Sequence, residues 1–308
     1  MFTIAFTNVL ITLCYIIPGF ALCKLKKSSG DHLSTVSTYL IYVCSPCMII
    51  GALWNIEFNP TVITDMSLFF VITFVLQILF MLIIYAVCRK KYGESKYRIL
   101  TVASVMGNVG FFGLPIIKAL FPDSPEVMAY SCVASLALNI LSFTVGIFCV
   151  TGDKKNINVV KGIFNPNTIG FILGAVLSAL NAKSFLPAVA VNAVELLGQM
   201  STPVCMLILG IRLATVSFKK LFMRPFVYLT CLMKLIVFPL FCFAAVYFLS
   251  LDATLKASVL ILSAVPCASM VLNIAEIYHG DTELSANCVL LSTLLCFITL
   301  PLLTLLVQ

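Results

Sequence analysis

The chain has 308 residues, of which 61% are hydrophobic and 10% charged, with 19 Lys and Arg against 12 Asp and Glu. Ordinary globular proteins carry about 25% charged residues, so this composition excludes a soluble enzyme, an intrinsically disordered chain and a free nucleic-acid binder. A polytopic membrane protein remains, in which each helix spends roughly 20 apolar residues on a hydrocarbon core of ~30 Å.

In chain order, apolar runs bounded by charge or turn signals predict ten spans, at 4–23, 33–54, 66–88, 97–120, 127–150, 164–181, 187–211, 225–249, 256–278 and 284–307. The opening MFTIAFTNVL has no basic start, and no small-residue cleavage site follows it, so the first run reads as a retained span. The spans must be helices, because backbone in lipid has to satisfy its own polar groups, and barrel strands would be shorter and alternating.

Lys and Arg set the orientation. Fifteen fall on one side: Lys24, Lys26, Lys27, Arg89, Lys90, Lys91, Lys96, Arg98, Lys154, Lys155, Lys161, Arg212, Lys219, Lys220 and Arg224. The other side has three, Lys118, Lys183 and Lys256. The basic loops are therefore expected in the cytoplasm of a cell-membrane protein, with both termini outside.

A shift of 157 residues places Asn8 on Asn165, Pro46 on Pro203, Glu126 on Glu283, Ala129 on Ala286, Ser135 on Ser292 and Leu138 on Leu295. These identities predict a first five-helix repeat over 1–150, a cytoplasmic linker over 151–163 and a second repeat over 164–308. Five is odd, so the second repeat enters the membrane inverted, an arrangement typical of transporters. The expected fold is all-α: ten transmembrane helices in two inverted five-helix repeats, with helices four and nine broken.

The fourth span contains Gly107-Asn108-Val109-Gly110-Phe111-Phe112-Gly113-Leu114-Pro115, and the ninth contains Pro266-Cys267-Ala268-Ser269-Met270-Val271-Leu272-Asn273. Glycine weakens a helix interior and proline removes a hydrogen bond. Each break creates a half-helix N-terminus with partial positive charge and free N–H groups, and two together suit a carboxylate. Asn108, Gly110, Pro115, Pro266, Ser269 and Asn273 are the candidate substrate-binding residues. Ser45-Pro46 and Thr202-Pro203, at matched positions, mark Ser45 and Thr202 as lining candidates. Glycines three apart also serve close helix packing, and the two Pro sites serve equally as hinges.

Lys234 lies mid-span, where a charge costs ~2.5–3.5 kcal/mol on insertion scales. It reads either as a substitute for a coupling cation, as a group titrating in transport, or as a member of a structural ion pair or a snorkelling side chain. Its counterpart under the shift is Gln77. Glu195 is the nearest thing to an embedded acid, placed either for proton coupling or near the outer surface. The 13 cysteines fall mostly in apolar runs and read as packing, including the Cys44/Cys47 pair. No phosphate-binding loop, nucleophile elbow or zinc motif occurs, so neither an ATP-driven pump, an enzyme nor a metal site is expected. No cofactor is expected, and the coupling ion is left between H+ and Na+.

The runs MGNVGFFGLPIIKALFP, IFNPNTIGFILG, STPVCMLILGIRL and SAVPCASMVLNIAEIYHGDTELSANCVLLSTLLCFITLP resemble the auxin efflux carrier family. The resemblance implies ten helices in two inverted repeats, with broken helices four and nine crossing inside a transport part made of spans three to five and eight to ten. It also implies a scaffold of spans one, two, six and seven that often forms a homodimer. The absence of a long central loop resembles the bacterial type, described as permeases for dicarboxylates such as malate or malonate. The family's substrate-contacting asparagine carries over to Asn108 and its crossover prolines to Pro115 and Pro266; Cys267-Ala268-Ser269 departs from the pattern. The expected function is a secondary active transporter of a small organic anion working by alternating access in the lipid bilayer, with no nucleic-acid partner. A cation/proton antiporter is the alternative, although 127–150 lacks the deep acid that reading wants.

Overall fold

The computed structural model describes residues 1–54, 56–153, 155, 157, 159–216 and 221–307, leaving aside the side chain of Lys161. Lys154, Lys219 and Lys220 of the basic loops, the side chain of Lys161, and Gln308 at the end of the expected second repeat lie outside the described residues. The elements are α1 (Phe2–Lys24), α2 (Gly30–Leu53), α3 (Pro60–Lys91), α4 (Ser95–Ala103), α5 (Val109–Leu120), α6 (Glu126–Thr151), α7 (Val159–Ile163), α8 (Pro166–Ala179), α9 (Ala188–Thr215), α10 (Pro225–Tyr247), α11 (Ala253–Ala264), α12 (Ser269–Ile277) and α13 (Thr282–Val307).

The expectation of ten transmembrane helices in two inverted five-helix repeats is corrected. Among the described residues seven helices are long and apolar enough to cross a membrane: α1, α2, α3, α6, α9, α10 and α13. The other three apolar runs do not form continuous helices of that length. The run 97–120 is divided into α4 and α5, and 256–278 into α11 and α12. The run 164–181 yields the 14-residue α8, which at 1.5 Å per residue is about 21 Å long against a ~30 Å core. An apolar run reports solubility in lipid; helix continuity is decided by glycine, proline and the residues that precede proline.

Proline also shapes the long helices. A π-helical turn covers Leu40–Cys44, Val109–Gly113 and Met233–Val237, and Pro46, Pro115 and Pro239 each stand two residues further on. Proline has no N–H, and its ring crowds the carbonyl four residues back. A wider turn moves that carbonyl aside without ending the helix.

Helices meet where side chains vanish, as is usual where apolar burial gives no preference for protein over lipid. At the contact of α1 with α9, a Cβ on Gly19 would fall on the Leu207 carbonyl, and one on Gly210 on the Ile16 carbonyl. Gly170 of α8 sits where a Cβ would come 2.8 Å from Pro46 Cα, and Gly198 of α9 where it would come 2.9 Å from Met48 Cα. Thus α1, α2, α8 and α9 hold together largely through backbone approach. The α3–α6 pair carries larger side chains, with Phe69 stacked on Tyr130 at 4.8 Å, and α3 meets α10 through Phe80 against Phe238 at 5.1 Å.

Gly210→Ala forces α1 and α9 apart and is expected to lower Tm in detergent by an overpacking cost of about 1–3 kcal/mol. Gly51→Ala, where a Cβ would meet nothing within 4 Å, is expected to leave the melting curve in place.

Candidate functional site

The two breaks lie against each other. Val265 precedes Pro266, whose ring disfavours helical geometry at the residue before it; Val265 is extended (φ −63°, ψ 154°) and α11 stops at Ala264. In the other segment Gly107 and Asn108 interrupt the helix, with Asn108 at φ −78°, ψ 60°. Gly107 and Cys267 form an antiparallel bridge. Asn108 N donates to the Pro266 carbonyl at 2.8 Å, and Ala268 N to the Met106 carbonyl at 2.9 Å. A Cβ on Gly107 would lie 2.8 Å from Val265 Cγ2 and 3.0 Å from Lys234 Nζ, so glycine is what lets the segments touch.

Other helices take up the backbone groups that the breaks release. Cys267 N donates to Ser292 Oγ of α13 at 3.0 Å. Ser131 Oγ of α6 donates to the Val109 carbonyl at 2.7 Å, and Thr202 Oγ1 of α9 to the Phe111 carbonyl at 2.7 Å. Lys234 Nζ donates to the Ser263 carbonyl at 2.8 Å and the Val105 carbonyl at 3.4 Å. Lys234 is 1% exposed, and among the described residues it makes no ion pair.

In front of the crossing lies a cavity of about 120 Å³ lined by Ser45, Asn108, Gly110, Ser269 and Asn273, with Ser135, Asn139, Ser142 and Asn167. None of its lining residues is charged. Both half-helix N-termini, α5 after Asn108 and α12 after Ala268, begin at its wall. Asn108 is buried, with Nδ2 3.9 Å from Cys205 Sγ. The Ser269 hydroxyl is buried without a hydrogen bond. Ser45 Oγ donates to Asn167 Oδ1 at 2.6 Å.

The cavity shares Ile41, Asn139, Asn167, Met270 and Asn273 with a vestibule of about 710 Å³, which reaches Gly30, Leu33 and Arg212. At the rim Arg212 forms a two-pronged ion pair with Glu276 of α12. A second vestibule of about 450 Å³ contains Asn8, Lys118, Glu195 and Gln199, and meets the cavity at Met48.

The structure thus gathers Asn108, Gly110, Ser269, Asn273 and Ser45 around one cavity. Pro266 stands behind them, its carbonyl committed to the bridge. Pro115 and Thr202 line the second vestibule instead. Lys234 is on the far face of the crossing. Glu195 is ion-paired to Lys183 at 2.9 Å in the second vestibule, the two side chains 35% and 31% exposed, away from the crossing. Ser131, Ser135, Asn139, Ser142 and Asn167 were not singled out by the sequence reading. Their signal is spacing: 131, 135, 139 and 142 follow the 3.6-residue period along one face of α6, which carries no charge beyond Glu126 in its first turn.

Residues 4–304 match the family described as membrane transport protein. The chain belongs to this family, that of the auxin efflux carriers. It is similar to an uncharacterized transporter of Methanothermobacter thermautotrophicus, 26% identical over 300 residues that cover 96% of each chain. It is also similar to an uncharacterized transporter of Methanocaldococcus jannaschii, 24% identical over 291 residues, 92% of this chain and 93% of that one. The protein is a multi-pass membrane transporter and not an enzyme.

The transporter's two glycines at the crossing separate packing from binding. Gly107→Ala is expected to push the segments apart and lower Tm in detergent. A Cβ on Gly110 would meet only Met48 Cε at 3.5 Å and Ser135 Oγ at 3.6 Å, so Gly110→Ala is expected to keep Tm and lose transport by filling the cavity. Flux in proteoliposomes read beside the melting curve checks both.

Proposed function

We propose that the transporter carries a small organic anion, a carboxylate or dicarboxylate, by alternating access. The observation that carries this reading is the convergence of two helix N-termini on one uncharged cavity. Unpaired N–H groups and the helix dipoles give that cavity a positive potential. No carboxylate lines it to neutralise the field. The buried Ser269 hydroxyl and the Asn108 and Asn273 amides offer further hydrogen bonds to carboxylate oxygens. In water such contacts are worth little, but in a water-poor pocket they decide which charge enters.

A cation/proton antiporter would need an acid in the cavity to exchange protons for metal ions. The acids nearest the pathway, Glu195 and Glu276, are both ion-paired and stand in the vestibules. The anion reading therefore has the better support. The 710 Å³ vestibule continuous with the cavity lies at the end of the bundle that holds Arg212. We place that end in the cytoplasm from its basic loops, which makes this arrangement inward-facing. The dicarboxylate subclass suits two N-termini facing one cavity, since each can take one carboxylate.

Purified protein is expected to be stabilised by a transported anion, because a ligand that binds only the folded state raises Tm. In proteoliposomes, Asn108→Ala is expected to lose at least nine-tenths of carboxylate flux while its melting curve without ligand stays near that of the unmodified chain. Unchanged flux in that variant overturns the reading.

A further inference from the structure

The far face of the crossing has the opposite chemistry. Helices α4 and α11 end there, and helix C-termini present unpaired carbonyls with partial negative charge. The carbonyls of Val105 and Ser263 converge there on Lys234 Nζ, and the Phe238 ring lies 5.0 Å from the ammonium. Beside this group is an enclosed chamber of about 20 Å³, lined by Thr73, Gln77, Gly107 and Ser263 among others. That is room for one water-sized occupant. Gln77 is buried and its Oε1 has no protein partner. Two carbonyls face the ammonium, and Gln77, with its unpartnered amide oxygen, lines the chamber beside it. Unwound carbonyls and half-helix C-terminal ends are the groups that bind alkali cations in membrane carriers.

We propose that this is a monovalent-cation seat, and that the Lys234 ammonium is its permanent occupant. The tethered charge completes the carbonyl set that a carrier would otherwise fill with a cation from solution. Lys234 acts as a positioning residue: it does not line the substrate cavity, and it holds the two half-helix ends together from behind Gly107. The inference rests on reading the crossing as the transport site. Its consequence is that sodium is not needed to assemble the crossing. When the ammonium is removed, the Val105 and Ser263 carbonyls are left facing a space, next to the chamber that Gln77 lines, that a sodium ion or a small primary ammonium ion fits.

The test compares the unmodified chain, Lys234→Ala and Lys234→Met, purified in detergent. Each is melted in choline, sodium, potassium or methylammonium chloride at equal ionic strength, with no organic anion present. The unmodified chain is expected to melt at one temperature in all four salts. Lys234→Ala is expected to melt lower in choline and to regain several degrees in sodium or methylammonium; recovery of this variant only from those salts counts the same way. Lys234→Met fills the space without charge, so it is expected to ignore the salts and to retain less than a tenth of the flux.

A sodium-dependent Tm in the unmodified chain overturns the proposal. So does Lys234→Ala melting alike in all four salts, or full flux in Lys234→Met. If Lys234→Ala cannot be recovered at all, Lys234→Met decides. The melting arm contains no substrate, so a carrier of some other solute leaves it intact, whereas Asn108→Ala reports on the solute alone.

Discussion

Two hydrogen bonds between a pair of short extended segments hold the centre of this molecule, Asn108 N to Pro266 O and Ala268 N to Met106 O. They exist because helices cannot be broken freely in a water-poor interior. Each polar backbone group left without a partner there costs several kcal/mol. The bridge satisfies two donors and two acceptors, and the surrounding helices supply partners for others. Ser292 comes from α13, Ser131 from α6, Thr202 from α9 and Lys234 from α10. Four long helices are thereby fixed around the crossing by their polar side chains, although apolar packing alone gives them little reason to prefer one another over lipid.

The crossing also sorts charge. An antiparallel meeting of two broken helices puts both new N-termini on one face and both new C-termini on the other. The first face borders a cavity of hydroxyls and carboxamides without a charged group. The second borders a fully buried lysine. Neither face would be tolerable alone. The lysine would sit in an apolar core without the carbonyls it bonds, and those carbonyls would be left exposed to hydrocarbon without it. Two helix N-termini in front and a buried lysine held by carbonyls behind follow from a single backbone arrangement.

Much of this was legible in the residues. The glycines of 107–113 and the prolines Pro115 and Pro266 announced where helices are interrupted, and Lys234 stood out as a charge in the middle of an apolar run. Two kinds of information were hidden. Counting apolar runs gave ten full-length spans, whereas among the described residues seven helices have the length, because hydropathy does not register a helix that is interrupted or ends early. The polar wall contributed by α6 and α8 was also missed, because serine and asparagine inside an apolar run look like neutral variation until periodicity shows that they share a face. The partner of Glu195 was not legible in its apolar neighbours, because Lys183 approaches from outside the helix. Pro115 and Thr202 line the second vestibule and not the cavity of Asn108, a distinction hidden in the sequence because residue order gives depth along a helix and not the direction of a side chain around it.

Helix α9 has a particular place in this arrangement, because it makes polar contacts with both broken segments. Thr202 Oγ1 holds the Phe111 carbonyl of α5, Cys205 Sγ receives Asn108 Nδ2, and Arg212 pairs with Glu276 of α12. From Thr202 to Arg212 the helix rises about 15 Å, so one rigid element spans from the second vestibule to the rim of the first. The Thr202 contact lies on the side where the cavity is closed, and the Arg212 contact on the side where it is open. Opening the second vestibule to the cavity requires the first turn of α5 to part from Thr202 and Met48. The Arg212–Glu276 pair is the bond at the other end that can tighten or shift as it does so. The contacts strung along this one helix are individually modest, a hydroxyl, a thiol and an ion pair, and they join both vestibules to the two broken segments that the backbone bridge holds together.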